Sequence, residues 1–256
     1  MNKSLEKHNA SLSVAGRKIE AALAKLGLSE KGSTGNHRAG RLLFCLDLTG
    51  SREASLQNAR IATAGMFDAI KTIGSVAVKL VYYRGTHECR AGAWHDDPGI
   101  VSRFMQSLRC EGGNTQIKRV LRLALSEAED LDGVVFIGDH CEESADELSK
   151  LAENLGKRSV PLFIFHECAD IDAVSLQAKP VFKRLASLSG GIYCEFKPNS
   201  GDVLRELLSS LAAFSSAGKE GVIQIGRATT PEARVLQSHL LALPAPDKPE
   251  PRSERH

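Results

Sequence analysis

Five apolar residues, Leu42-Leu43-Phe44-Cys45-Leu46, lead without a break into Asp47-Leu48-Thr49-Gly50-Ser51. A continuous apolar run bounded by turn residues suits a strand covered on both faces, as in a parallel sheet flanked by helices. In open sheets of that kind, ligands bind at the carboxyl ends of central strands. Alternate residues of an extended segment point the same way, so Asp47, Thr49 and Ser51 can converge on one point. One carboxylate and two hydroxyls make a hard oxygen set suited to Mg²⁺ or Mn²⁺.

Two later segments extend this point into a constellation. Glu111-Gly112-Gly113-Asn114-Thr115-Gln116 is a glycine-rich loop entering a helix with Ile117, Val120, Leu121, Leu123, Ala124 and Leu125 on it. Thr115 is expected at or near the N-cap of that helix, with its hydroxyl free to face a neighbouring strand end. Gly133-Val134-Val135-Phe136-Ile137-Gly138-Asp139 then reads as a second buried strand ending in an acid.

Strands alternate with helices along the chain. Helices are expected over 52–71, with Ala54, Ile61, Ala64, Phe67 and Ile70 on the apolar side, and over 98–108, 116–131, 143–155, 180–188 and 201–214. Strands are expected over 75–84, 160–166 and 192–196, and a hairpin return through His87-Glu88-Cys89-Arg90 makes an antiparallel edge. This alternation predicts a doubly wound α/β fold, with a mostly parallel sheet, one antiparallel edge strand and helices on both faces.

In element order and motif, residues 40 to 217 resemble the von Willebrand factor A domain and its metal-ion-dependent adhesion site. The resemblance implies a Rossmann-like fold in which Thr49 and Ser51 bind a divalent cation directly. It implies that Thr115 binds directly or through water, and that Asp47 and Asp139 act through bridging waters. An open coordination position then accepts an Asp or Glu from a partner protein, so the implied function is a non-enzymatic adaptor. Cytosolic bacterial members of the family often work beside ATPases or chaperones. Two positions depart from the family pattern: Thr49 replaces the commoner serine, and His140 stands where glycine usually follows the aspartate.

Each of these residues also has a plainer reading. A Ser or Thr after a strand is commonly a helix cap, and Asp139 is placed to cap a helix starting near Glu142. A vestigial site on the same fold, used only for ordinary surface contacts, is a further alternative. An enzymatic alternative is a Mg²⁺-dependent phosphatase resembling the haloacid dehalogenase superfamily. There Asp47 would be the nucleophile, Thr49 or Ser51 would bind phosphate, and Asp139 and Glu143 would hold the metal. Position 49 lacks the second aspartate that most such phosphatases use as acid–base. No Gly-x-Ser-x-Gly elbow or nucleotide-binding P-loop is present.

The net charge of +2 over 256 residues gives no basis for nucleic-acid binding. No apolar stretch is long enough to span a membrane, and Met1-Asn2-Lys3-Ser4 does not open a signal peptide, so a cytoplasmic location is expected. The six cysteines have no Cys-x-x-Cys spacing and are expected to be reduced and structural, although Cys110, Cys141 and Cys168 could gather near His140 and His166 around a soft metal. Arg52, Arg84, Arg90 and Arg109 are candidates to surround the site and favour an acidic partner, although their plainer and preferred reading is solvated surface. Residues 1–40 read as an amphipathic helix, with Leu12, Ile19, Leu23 and Leu26 on its stripe, followed by a flexible linker. Residues 218–256 read as an extension with a short strand at 222–225, a helix at 231–243 and a Pro- and charge-rich tail from Pro244.

Overall fold

The computed structural model describes residues 40–53, 56–70, 76–168, 173–198 and 200–243. The N-terminal amphipathic segment and the tail from Pro244 lie outside the described residues. A six-stranded sheet runs through the centre, in the order β3-β2-β1-β4-β5-β6. Its strands are β1 (Gly40–Asp47), β2 (Val76–Arg84), β3 (Glu88–His95), β4 (Gly133–Gly138), β5 (Leu162–Glu167) and β6 (Tyr193–Phe196). Only β3 is antiparallel to its neighbour, β2; the other pairings are parallel.

The helices are α1 (Leu56–Ile70), α2 (Pro98–Ser107), α3 (Ile117–Ser126), α4 (Ala145–Gly156), α5 (Ala173–Ser189), α6 (Gly201–Gln224) and α7 (Pro231–Ala242). The period-two geometry of β1 divides its apolar run between two cores. Leu42, Phe44 and Leu46 face a layer built with α1, α2, α6 and α7, whereas Leu43 and Cys45 face one built with α3, α4 and α5. Each fully buried large apolar side chain contributes about 1.5–3 kcal/mol, which explains why the central strands tolerate almost no polar residue before Asp47.

Strand order sets the position of the site. From β1 the chain passes to β2 on one side, and β4 then pairs with β1 on the other, so β1 and β4 flank the topological switch point. Asp47 ends β1, and Asp139 follows β4 directly.

The structure corrects several expectations. Ile61 on α1 is 55% exposed, so it does not belong to the apolar side of that helix. The side chains of Ala64, Phe67 and Ile70, like residue Ala54, are outside the described part. Helix α5 begins seven residues before Pro180, which lies within it rather than at its start. Buried Ser175, Ala178 and Phe182 hold that helix across the missing proline N–H. Residues 222–225 do not form a strand. Val222, Ile223 and Gln224 continue α6 beyond a kink at Ala217-Gly218, where Gly218 takes a φ of 62° that favours glycine. Val222 is buried in the core together with Ala233, Leu236 and Leu240 of α7, and that packing overrides the local β preference of Val and Ile.

Candidate metal centre

The segment after β1 leaves the strand as a 3₁₀ turn, Gly50–Arg52, and turns back on itself through side-chain hydrogen bonds. Asp47 Oδ1 accepts from the Thr49 backbone N–H at 2.8 Å and from Thr49 Oγ1 at 2.7 Å. Thr49 Oγ1 lies 3.2 Å from Ser51 Oγ. Asp47 Oδ2 accepts from the hydroxyl of Tyr83 at 2.8 Å, and Tyr83 is the β2 residue directly in register with Asp47. Asp47, Thr49 and Ser51 therefore do form one connected set, as their spacing implies.

The glycine-rich loop is laced to this turn. Glu111 N–H donates to the Leu48 carbonyl at 3.0 Å, and Gly85 N–H donates to the Glu111 carbonyl at 3.2 Å. A Cβ on Gly113 would fall 2.1 Å from the Gly85 carbonyl oxygen, so this close approach requires glycine. Buried Gln116 clasps the same turn, its amide donating to the carbonyls of Arg84, Gly85 and Glu88. The loop consequently brings Thr115 to a cleft of about 220 Å³ lined by Thr49, Gly50, Ser51, Gly112, Gly113, Thr115, His140 and Glu142.

The loop after β4 closes the other side through two acids. Glu142 and Thr115 bond reciprocally: Thr115 N–H donates to Glu142 Oε2 at 3.0 Å, and Glu142 N–H donates to Thr115 Oγ1 at 3.2 Å. The Glu143 carboxylate accepts from the first amides of α3, Ile117 N–H and Lys118 N–H. It thus caps that helix from 25 residues away in sequence, where an anion is favoured by the exposed amides.

These contacts settle the capping alternatives. The cap of α3 is supplied by Glu143, and the N-cap residue is Gln116 rather than Thr115. Helix α4 is capped by Ser144, so Asp139 is not its cap. The 3₁₀ turn has Thr49 at its N-cap position but no side-chain capping bond. Helix capping therefore accounts for none of Thr49, Thr115 and Asp139, while the residues between Ser51 and the start of α1 lie partly outside the described part.

Asp47 and Asp139 are both buried. Burial first, then the like charge of Asp139, pushes the Asp47 carboxyl up to about 6 from 3.8, against the downward pull of the Thr49 hydrogen bonds and Arg52. Burial and the neighbouring Asp47 carboxylate raise the Tyr83 hydroxyl well above its ordinary value, so it stays a donor. One oxygen of Asp139, Oδ1, is buried with no hydrogen-bond partner among the described residues. Two adjacent buried carboxylates, one with an unsatisfied oxygen, form a site that would gain from a bound cation. The donor set is carboxylate and hydroxyl oxygen, which fits a hard divalent ion.

The soft-metal arrangement is not present: among the described residues, no three His, Cys, Asp or Glu side chains gather as metal ligands would. All six cysteines are free, and burial raises Cys110 to about 12 and Cys141 to about 11, away from the thiolate form. Nor do the four arginines make a basic rim. Arg52 is 2% exposed and ion-paired with buried Glu167 at the end of β5. Arg84 and Arg90 bond Glu88, and Arg109 donates to the carbonyls of Gln106 and Leu108. Arg109 is exposed and Arg84 and Arg90 are part-exposed, as surface charges would be; only Arg52 is buried, and its pairing with Glu167 has no local signal.

Three supporting residues lie outside the expected metal-site set. Tyr83 is the first. The second is Glu142, paired with Thr115 across 27 positions. The third is His166, fully buried, with Nε2 at 3.0 Å from the Asp139 carbonyl and 2.9 Å from Ser175 Oγ, and Nδ1 at 2.8 Å from the Tyr193 hydroxyl. Burial holds the His166 imidazole below its ordinary value.

No family model matches the chain, and no curated protein matches it. Solved structures do. A von Willebrand factor type A protein from Catenulispora acidiphila superposes with a TM-score of 0.56 at 16% identity, over 69% of this chain and 42% of that one. The fold is that of a von Willebrand factor A domain. The pilus adhesin SpaC from Lactobacillus rhamnosus GG matches with a TM-score of 0.57 at 10% identity, over 73% of this chain and 31% of its own. Proximal thread matrix protein 1 from the mussel byssus, in a structure with a zinc-occupied MIDAS motif, matches with a TM-score of 0.52 at 13% identity, over 75% and 51%. The von Willebrand A fold thus spans about half or less of each of these structures. Among the described residues, no helix is long and apolar enough to cross a membrane.

Proposed function

We propose that this von Willebrand A domain is a non-enzymatic protein-binding module. It holds Mg²⁺ or Mn²⁺ through Thr49, Ser51 and Thr115, with Asp47 and Asp139 behind them, and engages an Asp or Glu of a partner protein. The observation that carries this reading is the buried Asp47–Asp139 pair at the switch point, with Asp139 Oδ1 unsatisfied. The bound ion would offset the two negative charges and supply a Lewis-acidic position for the partner's carboxylate. On this side of the contact, Tyr83 and Thr49 hold Asp47, His166 holds the Asp139 backbone, and the Glu142–Thr115 pair fixes the glycine loop. A partner within an ATPase or chaperone system, and a cytoplasmic setting, belong to the same proposal.

The phosphatase alternative has less support in the geometry. A nucleophilic Asp47 would need a free oxygen, yet the residue is 1% exposed and both of its oxygens accept hydrogen bonds. Glu143, the second metal holder in that scheme, caps α3 instead. Calorimetric titration of metal-free protein with Mg²⁺ and Mn²⁺, beside a phosphate-ester assay, tests the proposal. Saturable one-site binding lost in Asp47→Ala, with no turnover, is the expected result. Absence of binding, or turnover that depends on Asp47, would overturn it.

A further inference from the structure

The cleft contains one acid that none of the expected metal-site residues accounts for. Glu142 lines it together with Thr49, Ser51 and Thr115, and it lies on the loop where His140 replaces the usual glycine. Its Oε2 is pinned by Thr115 N–H, and its own N–H is pinned on Thr115 Oγ1. Among the described residues, Oε1 takes no hydrogen bond. The carboxylate is therefore anchored at one oxygen and available at the other, beside the Thr115 hydroxyl assigned to the ion and in the same cleft as Thr49 and Ser51.

The geometry points to Glu142 as an internal competitor for the partner-binding position: its carboxylate ligates the bound cation in the resting protein and must be displaced by the partner's acid. This inference rests on the metal reading of the same site. Two carboxylates sharing one cleft repel, so displacement of one by the other is favoured over joint binding. Charge count also tunes affinity for a hard cation, so a resident carboxylate tightens metal binding while weakening capture of an external acid. The partner class that follows is narrow. It must present a carboxylate together with further contacts, because a lone acid gains nothing by replacing an equivalent one already in place.

The test compares wild type with Glu142→Gln, which keeps an oxygen to accept from Thr115 N–H but removes the charge. Water-proton relaxation by bound Mn²⁺ counts exchangeable waters on the ion, and acetate serves as the probe carboxylate. The expected result is one more exchangeable water on Mn²⁺ in Glu142→Gln and roughly tenfold weaker Mn²⁺ affinity. Acetate should quench the relaxation at a concentration at least about threefold lower than in wild type. Equal relaxation and equal acetate sensitivity in two proteins that both bind Mn²⁺ would overturn the inference while leaving the metal site standing. Failure of wild type to bind Mn²⁺ would overturn the metal site and this inference with it. Glu142→Ala, with amide exchange at Thr115 as the readout of loop order, separates the loss of a charge from the loss of the tether.

Discussion

Asp47→Asn should make the metal-free protein more stable while removing its metal site. The wild-type carboxylate is fully buried beside Asp139, and its pKa rises from 3.8 to about 6. A raised acid binds more protons folded than unfolded between those values, so stability falls as pH climbs from 3.8 to 6 and stays reduced above it. The shift corresponds to about 3 kcal/mol of destabilisation at pH 7, and to roughly half of that at pH 5. Asparagine is close in shape and uncharged. Its Oδ1 can keep both Thr49 donors, and the Tyr83 hydroxyl can turn to accept from the amide nitrogen. The assay is urea unfolding in chelator at pH 7 and pH 5, with and without Mg²⁺. Asp47→Asn should exceed wild type by up to about 3 kcal/mol at pH 7, with the gap narrowing at pH 5. Saturating Mg²⁺ should stabilise wild type alone, since only a ligand that binds the native state shifts unfolding. A variant that is less stable than wild type in chelator, or a gap indifferent to pH, would refute the electrostatic reasoning.

Other perturbations test the supporting structure. Glu206 on α6 accepts from the N–H and hydroxyl of both Thr229 and Thr230, tying down the start of α7, and these bonds hold its carboxyl at about 2. Acid should therefore remove about 1 kcal/mol, after discounting for solvent screening of a part-exposed group, as pH falls from 4.5 toward 2. Glu206→Gln should abolish that increment in an acid-unfolding comparison. Arg52→Met or Glu167→Gln alone should cost about 3–5 kcal/mol by leaving a buried charge unpaired, and the double variant should recover much of the loss in a denaturant cycle. Gly113→Ala should displace the glycine loop from Gly85 and lower Mn²⁺ affinity at least about tenfold in calorimetry, with a smaller effect on the unfolding midpoint; unchanged affinity would separate the loop from the site.

The central frame was legible because it depends on local patterns that tertiary structure reinforces. β1 and β4 are apolar at every core position, β1 ends in Asp47 and Asp139 directly follows β4, so their burial and their polar ends follow from the same stretch of chain. Misreadings arose where a local preference met a non-local contact. Pro180 looks like the first residue of a helix until Ser175, Ala178 and Phe182 pack on both sides of it. Val222 and Ile223 look like a strand until the kink at Gly218 redirects the helix and seats Val222 against α7, leaving Ile223 exposed. Arg52 looks like a surface cation until Glu167, more than a hundred residues later, meets it in the interior.

The candidate centre shows both behaviours side by side. Asp47, Thr49 and Ser51 announce themselves by spacing, although Ser51 reaches Thr49 from a 3₁₀ turn rather than from the extended segment that the spacing suggests. What holds the rest of the centre together has no such period. Glu142 and Glu143 are adjacent acids with opposite attachments: one locks the loop residue Thr115, and the other caps the helix that follows it. Together they join the loop after β4 to the glycine loop before α3, the two segments that bring Asp139 and Thr115 to one end of the sheet. An electrostatic cost follows from this construction. Asp47 and Asp139 lie together at one end of β1 and β4, while Arg52, the nearby guanidinium inside the fold, is paired with Glu167. Burial first, and then the charge of Asp139, raises the Asp47 pKa, and Asp139 keeps an unsatisfied oxygen. A fold optimised only for stability would replace one of the two buried carboxylates with an amide; keeping both supports the proposal that a cation sits there.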